Sequence, residues 1–212
     1  MAYHGRMANG LTYTRKTSST EATKQLAATL APYLHAGDVV VLSGDLGAGK
    51  TQFVQGVAAA LGVTAPVTSP TFNIMLTYEQ ARIPLRHLDL YRLDDARELE
   101  DIDYYALIDG DSDGVAFVEW AEKFPEDLPC DYLEIVITVD DAGQRTILAH
   151  SYGSRSRQLL FVWANDSKAR LTKTAGGAST SRGGAPAGSW AGDTARDAAP
   201  SFSSGVSGSF NL

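Results

Sequence analysis

The stretch that most constrains this 212-residue chain runs from Val39 to Leu61. Val39-Val40-Val41-Leu42, apolar throughout and mostly β-branched, reads as a buried strand. Gln52–Leu61 reads as a helix, and a glycine-rich turn joins the two. Within that turn Gly44-Asp45-Leu46-Gly47-Ala48-Gly49-Lys50-Thr51 fits G-x-x-x-x-G-K-[ST], the Walker A pattern, without a mismatch. Its glycines take backbone conformations that carry a steric cost for other residues, so successive amides turn inward on a phosphate. The helix start adds unpaired N–H groups and the positive end of its dipole. Lys50 is expected to reach the β- and γ-phosphates of a nucleotide, and the Thr51 hydroxyl to ligate Mg2+. A turn that merely joined strand to helix would give no reason for Lys-Thr at the helix start.

A site of this kind needs an acid near its metal, commonly at the end of a hydrophobic strand beside the P-loop strand. Two positions qualify. Glu119 ends the run Val115–Val118, and Asp89 sits in Leu88-Asp89-Leu90. A carboxylate in such company wants a partner, whether metal, water or arginine. One of the pair is expected to hold Mg2+ and the other to orient the attacking water; the sequence does not divide the roles. Thr64–Asn73, with two prolines, reads as an extended loop. It is either a plain connector or a switch segment whose Thr71 hydroxyl approaches the metal-bound γ-phosphate. Tyr91 and Trp120 are read as core aromatics or as walls of the site, and His87 as a packed strand residue.

Around this centre the chain reads as α/β. Leu11–Thr17 is a first strand, and Ser18–Thr23 starts a helix with Leu26, Ala27, Leu30, Tyr33 and Leu34 on its apolar face. Ile74–Tyr78 and Leu85–Leu90 are two strands, Asp94–Leu99 begins a short acidic helix, and Glu98–Asp103 is read as a solvated face. Leu133–Val139 and Arg145–Ala149 form a terminal pair of strands about Asp140–Gly143. The expected fold is a three-layer P-loop NTPase with a mostly parallel central sheet and antiparallel strands near the end. The expected organisation is a loose start (1–10), a P-loop domain (11–150), a basic extension (151–174) and a Gly/Ser/Ala-rich tail (175–212) too poor in apolar residues to order itself.

Charge divides the same way. Residues 1–150 carry 11 Lys+Arg against 22 Asp+Glu, a net of −11, and residues 151–212 carry 7 against 3, a net of +4. An acidic body is a poor surface for a polyanion, so direct DNA or RNA binding by the core is not expected. Cys130, the one cysteine, excludes an internal disulfide and a multi-cysteine zinc site. Met1–Leu11 has no apolar core of signal-peptide length, and no apolar run approaches a membrane span, so the expected location is the cytoplasm.

Four motifs occur in order: Gly44–Thr51, Thr68-Ser69-Pro70-Thr71-Phe72, His87-Leu88-Asp89-Leu90-Tyr91-Arg92-Leu93 and Val118-Glu119-Trp120-Ala121-Glu122-Lys123. The set resembles the TsaE (YjeE) family, the small bacterial ATPase of tRNA threonylcarbamoyladenosine biosynthesis, over about Thr12 to Ala149. The resemblance implies ATP with Mg2+ as cofactors. It implies TsaB and TsaD as partners that place the threonylcarbamoyl group on adenosine 37, with tRNA met only through that complex. It also carries functional roles onto Lys50 and Thr51, Thr71, Asp89, and Glu119 with Trp120. The reading is therefore a weak ATPase completed by its partners. Its rivals are a small-molecule kinase and a nucleotide-gated module without useful turnover. No Asn-Lys-x-Asp motif is present, which leans towards adenine.

Overall fold

Alternating and β-branched segments assemble into one seven-stranded sheet in the computed structural model. The strands are β1 (Thr12–Thr17), β2 (Val39–Ser43), β3 (Met75–Tyr78), β4 (Leu85–Asp89), β5 (Val115–Glu119), β6 (Tyr132–Val139) and β7 (Arg145–Tyr152). Their order is β1-β7-β6-β2-β5-β4-β3. The central four, β6-β2-β5-β4, run parallel, while β7 and β3 pair antiparallel with β6 and β4, and β1 pairs antiparallel with β7. This is the α/β architecture expected from the sequence. The structure describes residues 11–176, with side chains for 11–166. The start expected to be loose (1–10) and residues 177–212 of the expected tail lie outside the described residues.

β2 and β5 are buried on both faces, which explains their unbroken apolar runs. One face, with Val40, Leu42 and Phe117, packs against α1 (Thr20–Ala28), α2 (Lys50–Ala60) and α4 (Ser154–Gly176). The other, with Val39, Val41 and Val118, is covered by short 3-10 turns and α3 (Tyr104–Ile108), through Leu90, Leu93, Leu99 and Tyr104. Leu99 is fully buried, so the acidic run Glu98–Asp103 is not simply a solvated face.

α1 begins at Ser19, whose hydroxyl accepts from the Ala22 amide at 3.1 Å. It stops at Ala28, short of the expected apolar face through Leu34. Pro32 cannot donate the helical hydrogen bond, and the chain continues as a 3-10 turn, Ala31–Tyr33. Leu30 and Leu34 are still fully buried. α1 and α2 pack backbone to backbone at Gly56, where an added Cβ would collide with the Lys24 carbonyl.

The segment read as a basic extension contributes to the core. The Asp131 carboxylate accepts from the Arg155 and Ser156 amides at 2.7 and 2.8 Å, starting α4. Leu159, Leu160 and Trp163 are then buried in the cluster that holds α1 and α2. The Trp163 ring lies 5.0 Å from Tyr13 and 6.4 Å from Phe53, and its Nε1 donates to Thr29 Oγ1 at 2.8 Å.

Candidate functional site

Parallel pairing brings three strand ends to one edge of the sheet. Glu119 of β5 stands in register with Leu42 of β2 on one side and with Asp89 of β4 on the other. β2 leads directly into the glycine-rich loop, so both acids arrive beside it. In the loop, Gly44 and Gly49 have φ of +138° and +115°, and at Gly44 a Cβ would collide with the Ile137 carbonyl. Only glycine fits these turns without strain. Arg145 of β7 fastens the loop by donating from Nε to the Ala48 carbonyl at 3.1 Å. Leu46 at the loop's crest is exposed.

Lys50, the first residue of α2, is buried. Its Nζ donates to the carbonyls of Gly44 (2.7 Å) and Asp45 (3.1 Å) and lies 4.1 Å from the centre of the Trp120 ring. Burial lowers the affinity of this amine for its proton, while Glu119, Glu122, Asp89 and Asp45 act the other way. Trp120 itself has φ +64°, the left-handed region that a bulky residue enters at a cost. Its ring packs 5.1 Å from Tyr91. Lys123 anchors that wall by donating to the carbonyls of Tyr91 and Leu93.

Each acid has its own partners. Glu119 Oε1 accepts from Thr51 Oγ1 at 2.9 Å and meets His87 Nε2 at 2.8 Å. Asp89 Oδ2 accepts from Thr71 Oγ1 at 2.5 Å and Ser69 Oγ at 3.3 Å, and Oδ1 accepts from the Tyr91 amide at 3.1 Å. The Asp89 amide in turn donates to the Ile74 carbonyl at 2.8 Å, and Ile74 holds a φ of +63°, a strained value for a β-branched residue. Thr71 and Asp89 thus form one unit, and Thr51 and Glu119 another. All the residues expected from sequence, from Gly44 to Thr51 with Thr71, Asp89, Glu119 and Trp120, converge on this edge. Ser69, with no site role expected from the sequence, reaches Asp89, and His87, expected as a packed strand residue, reaches Glu119.

Glu122 is a further carboxylate that the sequence reading left without a role. Among the described residues its buried Oε2 has no hydrogen-bond partner, and burial raises its pKa above the ordinary 4.5, with Glu134 adding to the rise and Lys50 opposing it. A carboxyl raised on folding binds its proton more tightly in the folded state. Its stabilising contribution is therefore full below the unfolded pKa and is lost as pH rises through the folded one. Glu122→Gln is expected to raise the melting temperature at pH 7 by about 2 °C. Melting curves at pH 4 and pH 7 check this, since the gain should vanish at the lower pH.

The donor set tests which group fits here. Thr51, Glu119 and Asp89 offer hard oxygens, as Mg2+ requires. Among the described residues no three His, Cys, Asp or Glu side chains form a cage able to hold a metal on their own. Mg2+ is commonly held by one or two carboxylates together with phosphate oxygens. A buried ammonium beside positive-φ loop amides suits a polyphosphate.

A loop of this form at the carboxyl edge of a parallel sheet defines a P-loop NTPase fold. The family model described as threonylcarbamoyl adenosine biosynthesis protein TsaE matches residues 17–147. The tRNA threonylcarbamoyladenosine biosynthesis protein TsaE of Bacillus subtilis is 41% identical over 144 residues, which is 68% of this chain and 89% of the relative. That of Streptomyces coelicolor is 44% identical over 117 residues, 54% of this chain and 77% of the relative. The crystal structure of Bacillus subtilis YdiB superposes with a TM-score of 0.64 at 33% identity, covering 77% of this chain and 99% of that one. The chain belongs to the TsaE family. Among the described residues no helix is long and apolar enough to cross a membrane.

Proposed function

We propose that this chain is the ATP-binding and ATP-hydrolysing component of the tRNA N6-threonylcarbamoyladenosine machinery, working in the cytoplasm with TsaB and TsaD through a nucleotide-driven conformational cycle. The observation that carries the proposal is the hydrogen bond from Thr51 to Glu119, which joins the last residue of the glycine-rich loop to the acid at the tip of the neighbouring strand.

Gly44–Thr51 with Lys50 would hold the phosphates, Thr51 and Glu119 the Mg2+, and Asp89 with Thr71 the attacking water. When bound, Mg·ATP supplies the phosphoryl group for transfer to water, with the metal neutralising its charge. The chain's own part is positioning. Lys50 is already desolvated and rests on neutral carbonyls and a ring face, so an anion is a better partner than those it has. Thr51 spends its proton on Glu119, which leaves the oxygen's lone pairs for a cation. Thr71 and Ser69 tie a surface loop to Asp89, so whatever alters the Asp89 carboxylate is felt by that loop. The acidic body leaves tRNA contact to the partners.

Steady-state ATP hydrolysis with Mg2+, by the chain alone and with TsaB plus TsaD, tests the proposal. Slow turnover alone and stimulation by the pair are expected, while the absence of turnover in both conditions would overturn it. Glu119→Gln is expected to reduce turnover by about 100-fold or more while ATP binding, followed by calorimetry, stays close to wild type.

A further inference from the structure

His87 occupies an apolar site without being apolar. It lies on β4 between Leu85 and Asp89 on one face, in register with Phe117 of β5. Leu85 and Phe117 belong to the fully buried core, and the His87 side chain is likewise 0% exposed. A leucine would fill such a position, so packing gives no reason for an imidazole. Among the described residues Nδ1 is buried with no hydrogen-bond partner, and the ring's one polar contact there is Nε2 to Glu119 Oε1 at 2.8 Å. A ring that faces a carboxylate oxygen with Nε2 and nothing polar with Nδ1 carries its proton on Nε2 and donates it.

The Glu119 oxygen therefore accepts from two elements at once, His87 of β4 and Thr51 of α2. Two donors approaching one oxygen from different elements fix the rotation of the carboxylate and leave Oε2 to serve the site. We propose that His87 is a positioning residue, which from the core side of the sheet holds Glu119 in its working orientation. The role in turnover rests on the ATPase reading above; the contact itself does not.

Full-length His87→Gln, His87→Asn and His87→Leu separate this role from packing. The glutamine amide nitrogen sits about where Nε2 does, and the asparagine nitrogen about where Nδ1 does. His87→Asn and His87→Leu are expected to lower kcat by roughly 10- to 100-fold, the usual range for a partner that orients a ligand or catalytic group, with the calorimetric Kd for ATP within about 2-fold. His87→Gln should recover most of the rate. Thermal melting of the three variants shows that each still folds, so that a lost rate is read from folded protein.

A second readout needs no nucleotide. In 15N-resolved NMR of the wild-type chain, His87 should be the Nε2–H tautomer with a downfield, exchange-protected proton that moves upfield in Glu119→Ala. An active wild type with an equally active His87→Leu overturns the positioning role, and an Nδ1–H tautomer overturns the contact. An inactive wild type that keeps the NMR signature overturns the ATPase reading and leaves the contact standing.

Discussion

Lys50→Ala is expected to lower ATP hydrolysis at least about 100-fold and to weaken ATP binding in the same step. The ammonium is the cation the loop presents at its centre, with Glu119, Glu122, Asp89 and Asp45 all close enough to influence it. Without it the loop would offer an anion four neighbouring carboxylates and only its amides to offset them. Lys50→Arg is no substitute. A planar guanidinium cannot place one compact charge on the Gly44 and Asp45 carbonyls while lying against the Trp120 face, so it is expected to recover little activity. Steady-state rates and calorimetric titration, with a melting curve to show that each variant folds, are the measurements. A Lys50→Ala chain that binds and hydrolyses ATP like wild type would remove the loop from the chemistry.

Trp163→Ala is expected to destabilise the domain by about 3–5 kcal/mol, the usual loss for truncating a buried tryptophan. For a domain of this size that lowers the melting temperature by roughly 10 °C. The ring bridges three elements, since it lies against Tyr13 of β1 and Phe53 of α2 and bonds Thr29 at the end of α1. Truncation would open a cavity at their junction and leave the Thr29 hydroxyl without this donor. Trp163→Phe keeps a ring but loses the Thr29 bond, and a smaller loss is expected. Chemical denaturation of both variants measures the difference. A wild-type midpoint for Trp163→Ala would mean that α4 adds nothing to the domain.

The parts of the site that could be read from sequence are those whose signal is local. Gly44–Thr51 carries its own spacing, and Glu119 and Asp89 each close an apolar run, so three converging elements could be named from text alone. The unread parts depend on partners far along the chain. Thr51 and Glu119 are 68 residues apart, and His87 and Glu119 are 32 apart. His87 sits at the inward position of an alternating strand, where a packed residue is the ordinary expectation, and only the register of β4 against β5 shows its ring reaching the acid. Ser69 reads as one more loop hydroxyl until the loop folds back on Asp89. α4 is hidden in the sequence for a different reason. Its buried residues, Leu159, Leu160, Trp163 and Ala164, follow helical spacing, but they stand among arginines and lysines that make the segment look solvated. The early end of α1 was legible in Pro32, since a ring without an N–H stops a helix whatever the apolar pattern around it.

The contact at Gly56 has a mechanical consequence. Because the α1 and α2 backbones touch there, α2 is bolted to the scaffold and cannot slide or roll without separating the pair. The wall of the site that carries Lys50 and Thr51 is thus a stator. In the cycle proposed above, displacement driven by nucleotide turnover would be taken up across the sheet edge, by Ser69–Ile74, with its strained Ile74, and by the turn that Lys123 pins at Tyr91 and Leu93. A partner that senses which nucleotide is bound would press against that opposite wall, and a bulky residue at position 56 would work as a wedge, tilting the fixed wall and putting the two out of step.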